Sequence, residues 1–152
     1  MGSKRILVLE ADPEYTGLVA SGFRNFTAEV EVINDGGAGI ELARSWKPDI
    51  IVLNIELPGQ SGFSVCNKIR KDPNLGSIPL IITSAESDDE TFAKHKKLRV
   101  HADDYMHKPY TFGDLLSRVT RLVPLDEAGE VESGDDLLEI VEDDDADDIL
   151  LD

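Results

Sequence analysis

Short apolar runs rich in valine, isoleucine and leucine alternate along this chain with stretches whose apolar positions recur at helical spacing. The first pattern marks strands with buried faces and the second marks helices packed by one side, so their alternation predicts β-α units around a parallel sheet. Strands are expected at Ile6–Leu9, Glu29–Ile33, Ile50–Leu53, Leu80–Thr83 and Tyr105–His107. The run Ile50-Ile51-Val52-Leu53 has no polar alternation and reads as a central strand covered on both faces.

Between the strands lie the helical stripes. Asp12-Pro13 supplies an N-cap with proline at the first helical position, and Tyr15, Leu18, Val19, Gly22, Phe23 and Phe26 follow at helical spacing. Gly36-Gly37 opens a second helix marked by Ile40, Ala43 and Trp46. Phe63, Val65, Cys66 and Ile69 mark a third, and Phe112, Leu115, Leu116, Val119 and Leu122 the last. The stretch Glu86–Val100 offers only Phe92, Ala93 and Leu98 among charges, so a helix there should be short or irregular. Five strands with intervening helices correspond to an α/β, flavodoxin-like, doubly wound sheet of order 2-1-3-4-5. In such a sheet the functional crevice lies at the carboxyl ends of the strands. Glu10, Asn54, Ser84 and Lys108 all fall at such ends and should converge.

Charge divides the chain in two. From Leu125 to Asp152 there are 14 Asp or Glu and no Lys or Arg, whereas Met1–Pro124 carries 15 basic and 17 acidic residues. The expected organisation is therefore a domain over 1–124 and an acidic tail over 125–152, disordered or conditionally folded. Such a tail repels nucleic acid and anionic membranes, so neither is an expected partner. No segment approaches the roughly 20 apolar residues of a membrane span, and the single cysteine, Cys66, excludes an intrachain disulfide and fits a reducing, cytoplasmic setting. Cys66 sits on the apolar face of its helix and reads as a small buried hydrophobe.

Four motifs at strand ends carry the chemistry. They are Ile6-Leu7-Val8-Leu9-Glu10-Ala11-Asp12-Pro13, Pro48 to Gly62, Ile78 to Ala85, and Asp103-Asp104-Tyr105-Met106-His107-Lys108-Pro109. In this order, with 30 positions from Asn54 to Ser84 and 24 from Ser84 to Lys108, they resemble the receiver domain of two-component response regulators over residues 4 to 124. That family carries an acidic pair after the first strand for magnesium, an aspartate nucleophile after the third, a Ser or Thr after the fourth and a lysine after the fifth. Metal and lysine neutralise the phosphoryl oxygens while the aspartate attacks in line.

The departures are as specific as the match. The resemblance places the acidic pair at Glu10 and Ala11, so the direct metal ligand has become a methyl group, and Asn54 replaces the phosphoacceptor. Two anionic ligands are lost from one site, which implies a metal-free crevice and no cofactor. Asp12 is expected to cap its helix instead of replacing the missing acid. Lys108, switch-like in the family, is expected to pair with Glu10, a surviving switch lysine being the other reading, and Lys108-Pro109 to keep the cis peptide of the family. Ser84 and Tyr105 occupy the family's switch positions. Their presence fits either a retained two-state element or plain packing. Glu56 is expected to be solvated at the crevice mouth, and His95, His101 and His107, spaced by six, place no metal pair on one helical face.

The function expected is a pseudo-receiver: a phosphorylation-independent interaction module for protein partners in signalling, and not an enzyme. The segment Thr91–Tyr105 resembles receiver-like domains of myxobacterial gliding-motility proteins, which implies motility or cell polarity as the setting. The alternative is an active receiver phosphorylated on a non-standard residue such as Asp12, Glu56 or Ser84. In the tail, Asp135-Asp136-Leu137-Leu138-Glu139-Ile140-Val141 is echoed by Asp147-Asp148-Ile149-Leu150-Leu151-Asp152. Leu137, Leu138, Ile140, Ile149, Leu150 and Leu151 would dock in a groove if this is a linear motif; a solvating tail or a linker is the other reading. Oligomeric state is open.

Overall fold

The computed structural model describes residues 3–127. Five parallel strands form one sheet: β1 (Lys4–Leu9), β2 (Ala28–Ile33), β3 (Ile50–Asn54), β4 (Leu80–Ser84) and β5 (Asp104–His107). Their order is β2-β1-β3-β4-β5, as the alternation of patterns predicts. All five residues of β3 and of β4 are buried, which explains their lack of polar alternation, whereas edge strand β2 exposes Glu29 and Glu31. Register brings Leu9 level with Leu53 and Asn54 level with Thr83. The ends of the three central strands therefore line up at one rim.

Five helices cover the sheet: α1 (Pro13–Phe23), α2 (Gly36–Trp46), α3 (Gly62–Lys71), α4 (Asp89–Lys96) and α5 (Phe112–Leu122). Each begins with a side chain that satisfies an orphan amide. Asp12, Asp35, Ser61, Asp88 and Thr111 accept from Glu14, Ala38, Phe63, Thr91 and Asp114 respectively, and Thr111 with Asp114 completes a capping box. The fourth helix is short but regular. Its one buried residue is Phe92, and its charges follow the helix dipole, with Asp89 and Glu90 in the first turn and Lys94, His95 and Lys96 in the last.

The core has two layers. Ile40, Ala43, Val65, Cys66, Ile69 and Phe92 pack on one face with Leu7, Leu53 and Ile82, while Tyr15, Val19, Phe23, Leu115 and Val119 pack on the other with Val8, Val52 and Ile81. Cys66 is fully buried, and burial pushes its thiol up to about 11. Several boundaries differ from the periodicity, β1 among them, which begins at Lys4 and not Ile6. The first helix ends at Phe23, so Phe26 reaches the core from the loop, and the strands at β2 and β5 each begin one residue earlier than expected. Past Pro124 the chain still touches the domain: Leu125 packs on the second layer, the Thr27 amide donates to the Asp126 carbonyl at 2.7 Å, and Phe26 bridges Glu127. The remaining tail, with Leu137, Leu138, Ile140, Ile149, Leu150 and Leu151, lies outside the described residues.

Two glycines separate propensity from packing. Gly62 opens α3 where a Cβ would stand 2.6 Å from Ile55 Cα and 2.7 Å from the Asn54 carbonyl oxygen, whereas a Cβ at exposed Gly17 in α1 meets nothing within 4 Å. Gly17→Ala should raise stability by about 0.5–1 kcal/mol through helix propensity. Gly62→Ala should lower it by about 1–3 kcal/mol because backbone must move. Urea unfolding of the two variants measures both signs.

Candidate functional site

Glu10, immediately after β1, and Lys108, immediately after β5, meet at the rim of the sheet. The ammonium lies 3.0 Å and 3.1 Å from the two Glu10 oxygens, with the side chains only 7% and 3% exposed. Glu10 also accepts from the Ala11 and Asp12 amides at 3.1 Å and 3.0 Å, so the acid closes the turn into α1 while holding the lysine. Lys108 is positioned from two further sides. Its backbone amide donates to the Ser84 carbonyl, and its ammonium stands 4.1 Å from the centre of the Tyr15 ring. The Lys108-Pro109 peptide is cis. Tyr110, packed on Tyr15, has its hydroxyl pKa raised, first by burial and then by the Glu10 charge.

Asn54 ends β3 with 2% exposure. Its Nδ2 donates to Thr83 Oγ1 at 3.1 Å and to the Thr83 carbonyl at 3.3 Å, and its Oδ1 accepts from the Glu56 amide at 3.1 Å. An amide suits this place because it donates to one neighbour and accepts from another. Glu56 does not stand free in solvent, contrary to the sequence expectation. A two-residue hairpin, Glu56–Leu57 against Gln60–Ser61, turns through Pro58-Gly59, with Gly59 at φ 86°, and folds the carboxylate back over the crevice. There Ser84 Oγ donates to Glu56 Oε2 at 2.5 Å, the Ala85 amide to Oε1 at 2.9 Å, and Asn54 Nδ2 to Oε1 at 3.4 Å. Burial pushes the Glu56 carboxyl up, but the bonds from Ser84, Ala85, Glu86 and Asn54 outweigh it and leave the pKa lowered. Ser84 in turn accepts from the Glu86 and Ser87 amides, which ties the loop into α4 to the same anion.

Tyr105, on β5, lies inside the domain at 8% exposure. Its hydroxyl accepts from the Ala102 amide at 3.1 Å and stands 2.5 Å from His95 Nδ1, while the His95 ring lies 4.6 Å from that of Phe63. A hydroxyl whose lone pair takes an amide proton is set to donate its own proton to a neutral imidazole. Consistent with this, burial first and His101 second hold the His95 pKa below its ordinary value. His107 stacks on Phe92 and bonds Asp89 at 2.6 Å. The three histidines do not meet.

These residues do not fit a magnesium ion. Glu10 is committed to Lys108 and two amides, Ala11 offers no ligand, and Asp12 bonds the Glu14 amide at the helix cap. Among the described residues no group of three or more His, Cys, Asp or Glu is placed to hold a metal. A hard dication that demands octahedral oxygen would find one amide oxygen and ion-paired or hydrogen-bonded carboxylates. The donors of the crevice already end on internal carboxylates.

A doubly wound sheet with acid, amide, hydroxyl and lysine at the carboxyl ends of successive strands defines a receiver-type α/β domain. Residues 6–120 match the response regulator receiver domain, and the chain belongs to that family. It is 33% identical over 119 residues to the DNA-binding dual master transcriptional regulator RpaA of Synechocystis sp., covering 78% of this chain and 48% of RpaA. It is 32% identical over 116 residues to the DNA-binding response regulator MtrA of Mycolicibacterium smegmatis, covering 76% and 49%. The chain thus spans about half the length of these relatives. Among solved structures, CheY4 of Vibrio cholerae superposes with a TM-score of 0.72 at 21% identity, over 80% of this chain and 99% of that one, and shows the shared fold. The BeF3-activated receiver domain of Klebsiella pneumoniae RstA gives 0.67 at 27% identity, over 78% and 97%.

Two measurements test the site. Lys108→Ala leaves Glu10 buried without its cation and should cost about 3–5 kcal/mol, while Glu10→Gln combined with Lys108→Met should recover most of that loss; chemical unfolding of the single and double variants reads both. The second concerns pH. Native His95 has a lowered pKa, so below the unfolded value near 6.5 the unfolded chain binds more protons and stability falls with pH. The groups in contact with the imidazole are the Tyr105 hydroxyl and the Phe63 ring, and His101 acts on it through charge alone. The urea midpoint should drop between about pH 7.5 and about pH 5.5, and drop less in His95→Gln. The lowered Glu56 pKa acts in a separate window, below its unfolded value of about 4.3.

Proposed function

We propose that this chain is a receiver domain whose state is set without phosphoryl transfer, and that it acts by docking protein partners in a signalling pathway. The observation that carries this reading is Glu56. Its carboxylate takes the Ser84 hydroxyl and the Ala85 amide, donors at the crevice mouth that an incoming phosphoryl oxygen would need, while Glu10 takes Lys108. Asn54 supplies no nucleophile, and at 2% exposure its amide nitrogen is spent on Thr83 and Glu56. The protein thereby carries a permanent internal anion against its own switch hydroxyl. Ser84 is held toward the crevice and Tyr105 inward without any modification.

The same residues support a binding role without catalysis of its own, since the Ser84 hydroxyl that meets the Glu56 carboxylate has its oxygen taken by the Glu86 and Ser87 amides. RpaA and MtrA are DNA-binding by their names, but the match covers about half of each, and an appendage with 14 acids and no base opposes contact with nucleic acid here. No helix among the described residues is long and apolar enough to cross a membrane, and a cytoplasmic setting is part of the proposal. The resemblance of Thr91–Tyr105 to receiver-like domains of gliding-motility proteins supports a motility or cell-polarity pathway.

Intact-mass spectrometry after treatment with acetyl phosphate and magnesium tests the proposal. The wild-type chain should gain no stoichiometric phosphoryl adduct, Asn54→Asp alone should gain little, and Asn54→Asp with Ala11→Asp should be labelled. An adduct on the wild-type chain, mapped to Asp12, Glu56 or Ser84, would overturn it in favour of a receiver with a displaced acceptor.

A further inference from the structure

The described domain has a positive pole at α4 and the turn that follows. Residues 92–101 carry Lys94, Lys96, Lys97 and Arg99 and no Asp or Glu. Lys94 has Glu90 at 3.5 Å, but Lys96, Lys97 and Arg99 have no carboxylate within 4.0 Å among the described residues. In the middle of these cations stands Leu98, 54% exposed and the one large hydrophobic side chain so exposed among the described residues. Beside it α4 and β5 bound a groove of about 440 Å³ lined by Phe92, Lys96, Lys97, Tyr105, Met106 and Arg118. The floor is apolar; the rim carries Lys96 and Lys97 without a carboxylate partner, while Arg118 is paired with Asp104 and the Asp89 at one edge is bonded to His107.

The same chain carries the complementary text. Between Asp135 and Asp152 aliphatic residues sit among acids twice, as Leu137-Leu138 with Ile140-Val141 and as Ile149-Leu150-Leu151, with no positive charge. We propose that this acidic-aliphatic tail docks in cis on the basic α4 face, its aliphatic residues against Leu98 and the α4–β5 groove and its acids on Lys96, Lys97 and Arg99.

Geometry permits the contact. Glu127 is bridged to Phe26 just ahead of β2, at the amino-terminal end of the sheet. Helix α4 runs back from the carboxyl end of β4, so its last turn and Leu98 lie toward that same end. Four strand spacings separate β2 from β5, roughly 19 Å, and the path must also pass round the β5 edge, because Leu125 packs on the α1–α5 layer and Phe92 of α4 on the other. The ten residues from Glu127 to Leu137 span at most about 33–36 Å when extended and average roughly 16–19 Å as a flexible coil. A tether of that length gives an effective concentration near millimolar, so contacts too weak to hold two separate molecules suffice here. Attraction between three cations and a run of acids also makes the docking sensitive to salt.

The test uses the full chain with a spin label at Ala146→Cys, since native Cys66 is fully buried. At low salt, amide signals of residues 92–99 should lose more than half their intensity relative to the reduced label. The loss should vanish at ~1 M salt, where the screening length is about 3 Å. It should also vanish in Lys96→Glu/Lys97→Glu, which alters exposed side chains and should leave the other amide shifts in place. A mixture of labelled unenriched chain with unlabelled enriched chain should show no loss. Absence of broadening at low salt, broadening spread evenly over the surface, or broadening only in the mixture, which would make a second copy the source, each overturns the proposal.

Discussion

The buried pair between Glu10 and Lys108 is the contact on which the functional rim depends. It joins the end of β1 to the turn after β5, positions that are 98 residues apart in the chain, and it does so with the Glu10 side chain 3% and the Lys108 side chain 7% exposed. Withdrawing two charges from water costs several kcal/mol each, and only close geometry with additional hydrogen bonds offsets that. Both are present: two oxygens face the ammonium, the Ala11 and Asp12 amides hold the carboxylate, and the Tyr15 ring faces the cation. Those two amides also begin the turn into α1, whose cap is Asp12 itself. Ion pair, helix start and strand end therefore stand or fall together.

A second anion completes the rim from the other side. The hairpin after β3 carries Glu56 back over Asn54, and Ser84 and Ala85 bind it from the end of β4. Ser84 passes the constraint on through its oxygen, which takes the amides of Glu86 and Ser87 just before α4. The loop leading to α4 is thus moored to an internal carboxylate. At the far end of that helix, His95 meets the Tyr105 hydroxyl, so α4 is held at its start by Glu56 through Ser84 and near its end by the tyrosine.

Sheet order and helix positions were legible because burial on two faces demands uninterrupted β-branched runs, and burial on one face demands a helical stripe. Ile50–Leu53 and Leu115–Val119 carry those signals with little competition. The weakness of α4 was legible for the same reason, since one buried phenylalanine cannot make a stripe. Glu56 was not legible. An acid two residues past a strand end looks solvated, and only the turn at Pro58-Gly59 brings it back to Ser84, 28 residues away. The pairing of His95 with Tyr105 was equally hidden, because neither periodicity nor motif spacing relates a helix residue to the strand after it. The end of the first helix was misplaced by three residues because Phe26 continues the apolar spacing after the backbone has left the helix.

Charge balance explains why the crevice is coherent as it stands. Its described ionic groups are the carboxylates of Glu10 and Glu56 against the single ammonium of Lys108, and the excess negative charge is absorbed by hydroxyl and amide donors at Ser84, Ala85, Ala11 and Asp12. A carboxylate at position 54 would place a third acid beside Glu56, where the present contact is a 3.4 Å bond from an amide nitrogen. Like charges at that range repel strongly in a site 2% exposed, and only a dication would offset them. With a methyl group at Ala11 the ligand set for that dication is incomplete. Asn54, Ala11 and the engaged Glu56 are therefore consistent with one another as parts of a crevice that balances its charge internally, and an acid placed at position 54 or 11 would unsettle that balance.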